Sequence, residues 1–200
     1  MFKLIKIIFN ACLIVLAFIG FNAIGGQKYV EALKTKITTY IQIKANENAK
    51  KIGDFSGLNE EFQIDNAVNL IGYKAILAEH KASGQKIVII DSGDKILLSE
   101  NDIKGQSIEL KLKELADKFK YQAITAKEIN VIDRGTLNIY SQNVPYAKFE
   151  AKVTKLPFSD IAGIVTSVKT TDNSNKIVLS VSEKKRYSQL ITNEFCKGVK

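Results

Sequence analysis

The 200-residue chain has no tryptophan, one histidine, two cysteines, two prolines and only two arginines among its 29 basic residues. Each shortage closes off a class of function. A lone histidine, His80, supplies neither a metal-ligand pair nor the base of a recognisable nucleophile motif. Its place beside Glu79, near the polar end of a predicted helix, reads as a surface position. The cysteines, Cys12 and Cys196, form no CxxC and no Cys/His cluster. Cys12 falls within an apolar leader, so the remainder holds a single thiol and no internal disulfide, and Cys196 reads as a bland terminal residue. With so little proline and no Gly/Ser-rich run, no linker divides the chain, and no internal repeat is visible. Scarce arginine counts against nucleic acid, because Arg is the preferred residue for bidentate phosphate and base contacts. The net charge of +8 comes instead from lysines interleaved with acids, a solvated surface. No GxSxG, P-loop, GxGxxG or HExxH motif occurs. The expectation is a protein that is not an enzyme and takes no cofactor, metal or nucleic acid.

What is present starts with the leader. Residues 1–26, MFKLIKIIFNACLIVLAFIGFNAIGG, have a short basic start and a largely apolar stretch from Ile7 to Ile24. About 17 to 20 such residues reach across a bilayer. Two readings stand: a signal peptide cleaved near Ala23-Ile24-Gly25, or an uncleaved signal anchor. The imperfect small-residue site and the helical pattern that follows point to the anchor. Either way residues 27–200 are expected outside the cytoplasm, at the cell membrane as a single-pass protein or released after cleavage.

The composition of the rest, with 46% apolar and 25% charged residues over the chain, is that of one globular domain with a core. Val30, Leu33, Ile37, Ile41 and Ala45 recur at helical spacing and predict a long helix over 27–52, ended by Gly53 and Gly57. Asp65 or Asn66 can cap a second helix reaching Ala82, with Val68, Ile71 and Ala75 on one face. Ile87–Ile90 is a β-branched run suited to a strand buried on both faces. Asp91-Ser92-Gly93-Asp94 offers a tight turn, and Ile96-Leu97-Leu98 reads as the return strand of a hairpin over 86–99. The two aspartates are those expected of a turn. Ser107 is placed to cap a helix over 107–119, with Ile108, Leu112, Leu115 and Phe119 along one side.

The pattern then turns to alternation, with strands expected over Thr136–Ser141, Tyr146–Val153, Asp160–Thr170 and Lys176–Val181. Ser182 is placed to cap a closing helix with Tyr187, Leu190, Ile191 and Phe195 in one stripe. The fold class is α+β: a membrane helix and long helix, then one antiparallel sheet with a crossover helix and helices on one face.

This order resembles the PAS-like extracellular sensor domains of the single Cache type. The residues that carry the resemblance are Ile87-Val88-Ile89-Ile90-Asp91, the turn Ser92-Gly93-Asp94, the run Lys95-Ile96-Leu97-Leu98-Ser99 and Ile103-Lys104-Gly105-Gln106-Ser107. Leu156-Pro157 before a bend and Ala162-Gly163-Ile164-Val165 after it resemble the family's closing strands. The likeness spans most of residues 27–170, and the profilin-like fold, including roadblock-type modules, shares much of the topology. It implies a non-catalytic sensor-like domain that binds a small molecule or a partner protein of the receptor or envelope. A structural or assembly protein of the envelope, docking through its sheet, is the other reading. For a ligand, Tyr121, Arg134, Tyr140, Tyr146 and Phe149 are the candidates. Aromatics from adjoining sheet elements can line a pocket, and Arg134 can pair with a small carboxylate. The same residues also fit a plain core, with Arg134 in an Asp133-Arg134-Gly135 turn.

Overall fold

A computed structural model describes residues 45, 47–70, 73–118, 126–154 and 159–200. The leader, most of the 27–52 helix, Phe119, Tyr121 and Leu156-Pro157 lie outside the described residues. No helix among the described residues is long and apolar enough to cross a membrane.

The chain is α+β, built on one seven-stranded antiparallel sheet. The strands are β1 (Phe62–Leu70), β2 (Tyr73–His80), β3 (Lys86–Asp91), β4 (Ala126–Ile139), β5 (Gln142–Val153), β6 (Asp160–Lys169) and β7 (Asn175–Glu183). Their order across the sheet is β1-β2-β3-β7-β6-β5-β4. Among the described residues they are accompanied by α1 (Glu100–Lys104), α2 (Ile108–Lys118) and α3 (Gln189–Gly198), and by the end of an N-terminal helix at 45 and 47–49. The chain climbs from one edge to the middle through β1, β2 and β3. It crosses through α1 and α2 to the far edge, and returns through β4 to β7.

That path explains β3. It pairs with β2 on one side and β7 on the other, and every one of its residues is buried. The continuous run Ile87–Ile90 is thus a central strand covered on both faces. It also corrects the expected hairpin over 86–99. With both sides of β3 occupied, Ile96-Leu97-Leu98 has no edge to pair with. Gly93 does take the left-handed turn (φ 63°). The chain then enters α1, whose N-cap Ser99 accepts from the Asp102 N–H while the Asp102 carboxylate accepts from the Ser99 N–H. This capping box holds the start of the helix.

The expected helix over 65–82 is likewise corrected, since β1 and β2 pair antiparallel through this stretch out to Leu70 opposite Tyr73. In β2 both faces are buried: Ala75 and Leu77 point one way, Ile76 and Ala78 the other. Apolar residues on both faces erase the alternation that marks a half-exposed strand. The closing helix starts at Gln189, after Ser188, while Ser182 lies within β7. The expectation over 107–119 is met by α2.

Helices lie on both faces of the sheet, not one. On the first face, α3 and the end of the N-terminal helix pack over Ile76, Ala78, Ile87, Ile89, Ile164 and Val178. Phe195 is fully buried there, edge-on to Phe62 with ring centroids 5.4 Å apart. Burying such a ring is worth about 1.5–3 kcal/mol. On the second face, α1 and α2 contribute Ile103, Ile108 and Leu112 against Ala147, Phe149, Ala151, Val165 and Ile177.

Candidate functional site

The strand register separates the expected ligand set. Arg134 pairs with Ala147, on the face that carries Phe149, α1 and α2. It belongs to β4 rather than to a turn, is exposed, and donates from Nη2 to the Gly105 carbonyl at 3.2 Å. Tyr146 and Tyr140 pack on the opposite face. The Tyr146 hydroxyl accepts from Gln189 Nε2 at 2.7 Å and donates to Asp133 at 3.4 Å. Tyr121 lies outside the described residues. The four that are described are therefore divided between the faces and do not line one pocket.

A different polar group does converge, on the first face where the N-terminal helix ends. The chain is helical at 45 and 47–49 and turns through Ile52 into Gly53. The last carbonyls of a helix have no partners within it and carry the negative end of its dipole. Here side chains from the sheet take them. Lys176 of β7 donates to the Ile52 carbonyl at 2.7 Å, Tyr140 donates to the same oxygen at 3.2 Å, and Lys74 of β2 donates to the Lys51 carbonyl at 3.3 Å. The Lys176 ammonium also sits over the Tyr140 ring, 4.4 Å from its centroid, a favourable cation–π placement.

The charges behind this contact are buried. Asp91, directly across from Lys176 in the register, is 3% exposed. It accepts from Ser174 Oγ and from the Gly93 N–H, and lies 3.6 Å from Lys74. Burial pulls the Lys176 ammonium below its ordinary pKa, with Asp172 and Asp91 opposing. Burial pushes the Tyr140 hydroxyl far above its ordinary value, with Asp91 adding to the push, so it stays a neutral donor. The following chain is tied in as well. Asp54 N–H donates to the Lys200 carbonyl at 2.7 Å, Lys200 N–H returns to the Asp54 carbonyl at 2.9 Å, and Tyr140 N–H donates to the Val199 carbonyl at 3.2 Å.

Tyr140 and Ser141 form the two-residue connection between β4 and β5, both at positive φ (51° and 59°). Two such residues suit a tight hairpin whose favoured sequence is Asn-Gly. A tyrosine there is strained, and such strain persists where surrounding contacts fix it. The contacts are those just described.

Two further buried polar groups hold the fold. Gln85, fully buried, shares its two amide N–H groups among Ser180 Oγ, Thr192 Oγ1 and the Ser188 carbonyl, and accepts from the Ser188 N–H. It thus secures the start of α3 on the sheet. Lys86 pairs with Asp65 at 3.2 Å and with Glu79. Burial pushes the Asp65 carboxyl up against the pull of Lys86.

His80, expected at the surface, is buried at the end of β2. It lies 2.9 Å from Ser83 Oγ and edge-on to Phe62. Cys196, expected to be bland, is a fully buried core residue. Among the described residues, no group of three or more His, Cys, Asp or Glu is placed to hold a metal ion.

Lys74 and Lys176 carry no sequence signal, because a lysine whose partner is a backbone carbonyl looks like any surface lysine. The one available signal was Tyr140-Ser141 standing where a glycine-containing turn is the rule. No protein-family model matches the chain, and no curated protein matches it.

Proposed function

We propose that the chain is a non-catalytic, PAS/Cache-like binding domain held on the outer side of a membrane by its leader, with a small molecule or partner protein as its cargo. The observation that carries this reading is the joint at the end of the N-terminal helix. Lys74, Lys176 and Tyr140 take its last carbonyls, so the sheet is fixed to residues 51 and 52, downstream of the leader in the sequence. A domain that must stay oriented relative to its anchor needs such a joint. The antiparallel sheet with a helical crossover from β3 to β4 supports the family likeness, although the hairpin over 86–99 does not contribute to it.

For the bound group, Arg134 supports a carboxylate, since its guanidinium is exposed and its planar fork suits bidentate pairing. The tether is tested by washing membranes at high salt and alkaline pH. Retention of the full chain supports the reading, and release of a species beginning near Gly26 refutes the anchor. Binding is tested by thermal shift with small acids. A binder at a hundred times its Kd adds about 2.7 kcal/mol, and Arg134→Ala is expected to lose most of it while Arg134→Lys restores only part.

The envelope-docking reading is favoured by one observation. Ile132 is 49% exposed at the bulge of edge strand β4, beside Asp133 and Arg134. Strand addition is hindered there, because the Val131 and Arg134 N–H groups are taken by Glu109 and Asp133 side chains. A partner would meet side chains at the bulge. Ile132→Ser would then weaken partner binding and leave the response to small acids unchanged.

A further inference from the structure

The geometry points to the helix joint as a latch: the end of the N-terminal helix, the Tyr140-Ser141 turn and residues 199–200 engage the sheet together and release together. The inference deepens the tethered-domain reading and rests on it for its purpose, since only a tethered domain would use the joint to pass a displacement along its anchor.

Three observations carry it. First, one oxygen, the Ile52 carbonyl, accepts from both Lys176 and Tyr140. Withdrawal of the helix end therefore strips both donors at once, and leaves Lys176, only 5% exposed, without that acceptor in a buried place. Second, the Tyr140 turn is in a strained backbone region. The hydroxyl bond, the ammonium over the ring and the Tyr140 N–H bond to Val199 oppose that strain. Without them the turn gains nothing from being a tyrosine. Third, the packing leaves no slack between the segments. A Cβ on Gly53 would stand 2.9 Å from the Tyr140 ring. One on Gly57 would stand 2.7 Å from the Gly198 carbonyl oxygen, and one on Gly198 2.8 Å from Leu58. The 53–58 segment and the 198–200 segment thus lie backbone to backbone, and neither can move far without the other.

The test is amide hydrogen exchange on the full chain, in detergent if it stays with the membrane, for wild type, Lys176→Met and the double variant Tyr140→Asn/Ser141→Gly. The double variant supplies the residues the turn prefers, so the hairpin is retained while the Tyr140 hydroxyl bond to Ile52 and the ring beneath the Lys176 ammonium are lost. Both variants are expected to speed exchange at Asp54 and Lys200 by a common factor of about 5 to 30, the range for one or two net interactions. None of the three substituted positions bonds to those two amides, and protection in β3 and β7 should hold in the double variant. Unequal factors at Asp54 and Lys200, or unchanged exchange at both, would overturn the latch. Failure of the tether itself shows separately, as release in the alkaline wash, whatever the exchange result. Should Lys176→Met fail to fold, the double variant decides alone.

Discussion

Replacing Gln85 by leucine tests whether α3 is held to the sheet by hydrogen bonds or by apolar packing alone. The carboxamide is fully buried: its two Nε2–H groups are shared among three acceptors, at 2.9, 3.0 and 2.9 Å, and its oxygen accepts from the Ser188 N–H at 2.9 Å. Leucine keeps the approximate volume. The Ser180 and Thr192 hydroxyls still bond each other at 2.9 Å, so their loss is modest. The Ser188 N–H, which Gln85 serves in the role of an N-cap, is stranded. Losing a typical bond costs about 1 kcal/mol net, and leaving a buried donor unpaired costs about 1–3 kcal/mol. The expected loss is therefore about 2–4 kcal/mol, or about 5–15 °C in Tm for a domain of this size.

Equilibrium urea unfolding of the chain from Gln27 onward measures it, with the slope checked for two-state behaviour. The network character gives a second check. Thr192→Val removes a member of the same cluster, so the double variant should lose less than the sum of the two single losses. A Gln85→Leu cost below about 0.5 kcal/mol, or strict additivity with Thr192→Val, would refute the reasoning. The Phe195 side of α3 would then be what docks it.

Gly163→Ala in β6 would bring a Cβ to 2.8 Å from Phe149 Cζ and closer still to the Ser180 carbonyl oxygen. A loss of about 1–3 kcal/mol in urea unfolding is expected. Gly93→Ala, with open space around it but φ at 63°, should lose only about 1 kcal/mol from its backbone conformation. Burial pushes the Cys196 thiol up to about 12. Peptide mapping after alkylation at pH 8 should find Cys196 unmodified in the folded chain and modified in urea; labelling of the folded chain would refute its burial.

Lys111 and Ser99 hold the Asp102 carboxyl down at about 2, below its ordinary value near 3.9. A depressed carboxyl contributes stability that is present above about pH 4 and lost as pH falls toward 2. The stability difference between wild type and Asp102→Asn should shrink across that window, and a constant difference would refute it.

The legible strands are those whose own residues carry a plain pattern, alternation in β5 and β-branched runs in β3, β6 and β7. In β5, alternation from Tyr146 to Val153 is plain because every second residue meets either the core or solvent at the rim. The β6 and β7 expectations lie within a few residues of the observed strands for a related reason: β-branched residues repeat there between clear turns. The 65–82 segment failed where burial on both faces filled in the alternation. The 86–99 hairpin failed for a topological reason. The second neighbour of β3 arrives from β7, some 85 residues later, and no local pattern announces a partner that distant.

The expected ligand set fails on strand geometry. Tyr146 and Phe149 stand at odd separation on one strand, so strand geometry already places them on opposite faces. Shared residue type does not put side chains on one side of a sheet. The joint, in contrast, depends on carbonyls at a helix end and on two lysines, buried Lys176 and half-exposed Lys74, whose placement follows only from strand order. Lys74 and Lys176 are brought to Asp91 because β2 and β7 flank β3. A swap of that strand order would leave all three residues in the sequence and no joint in the molecule.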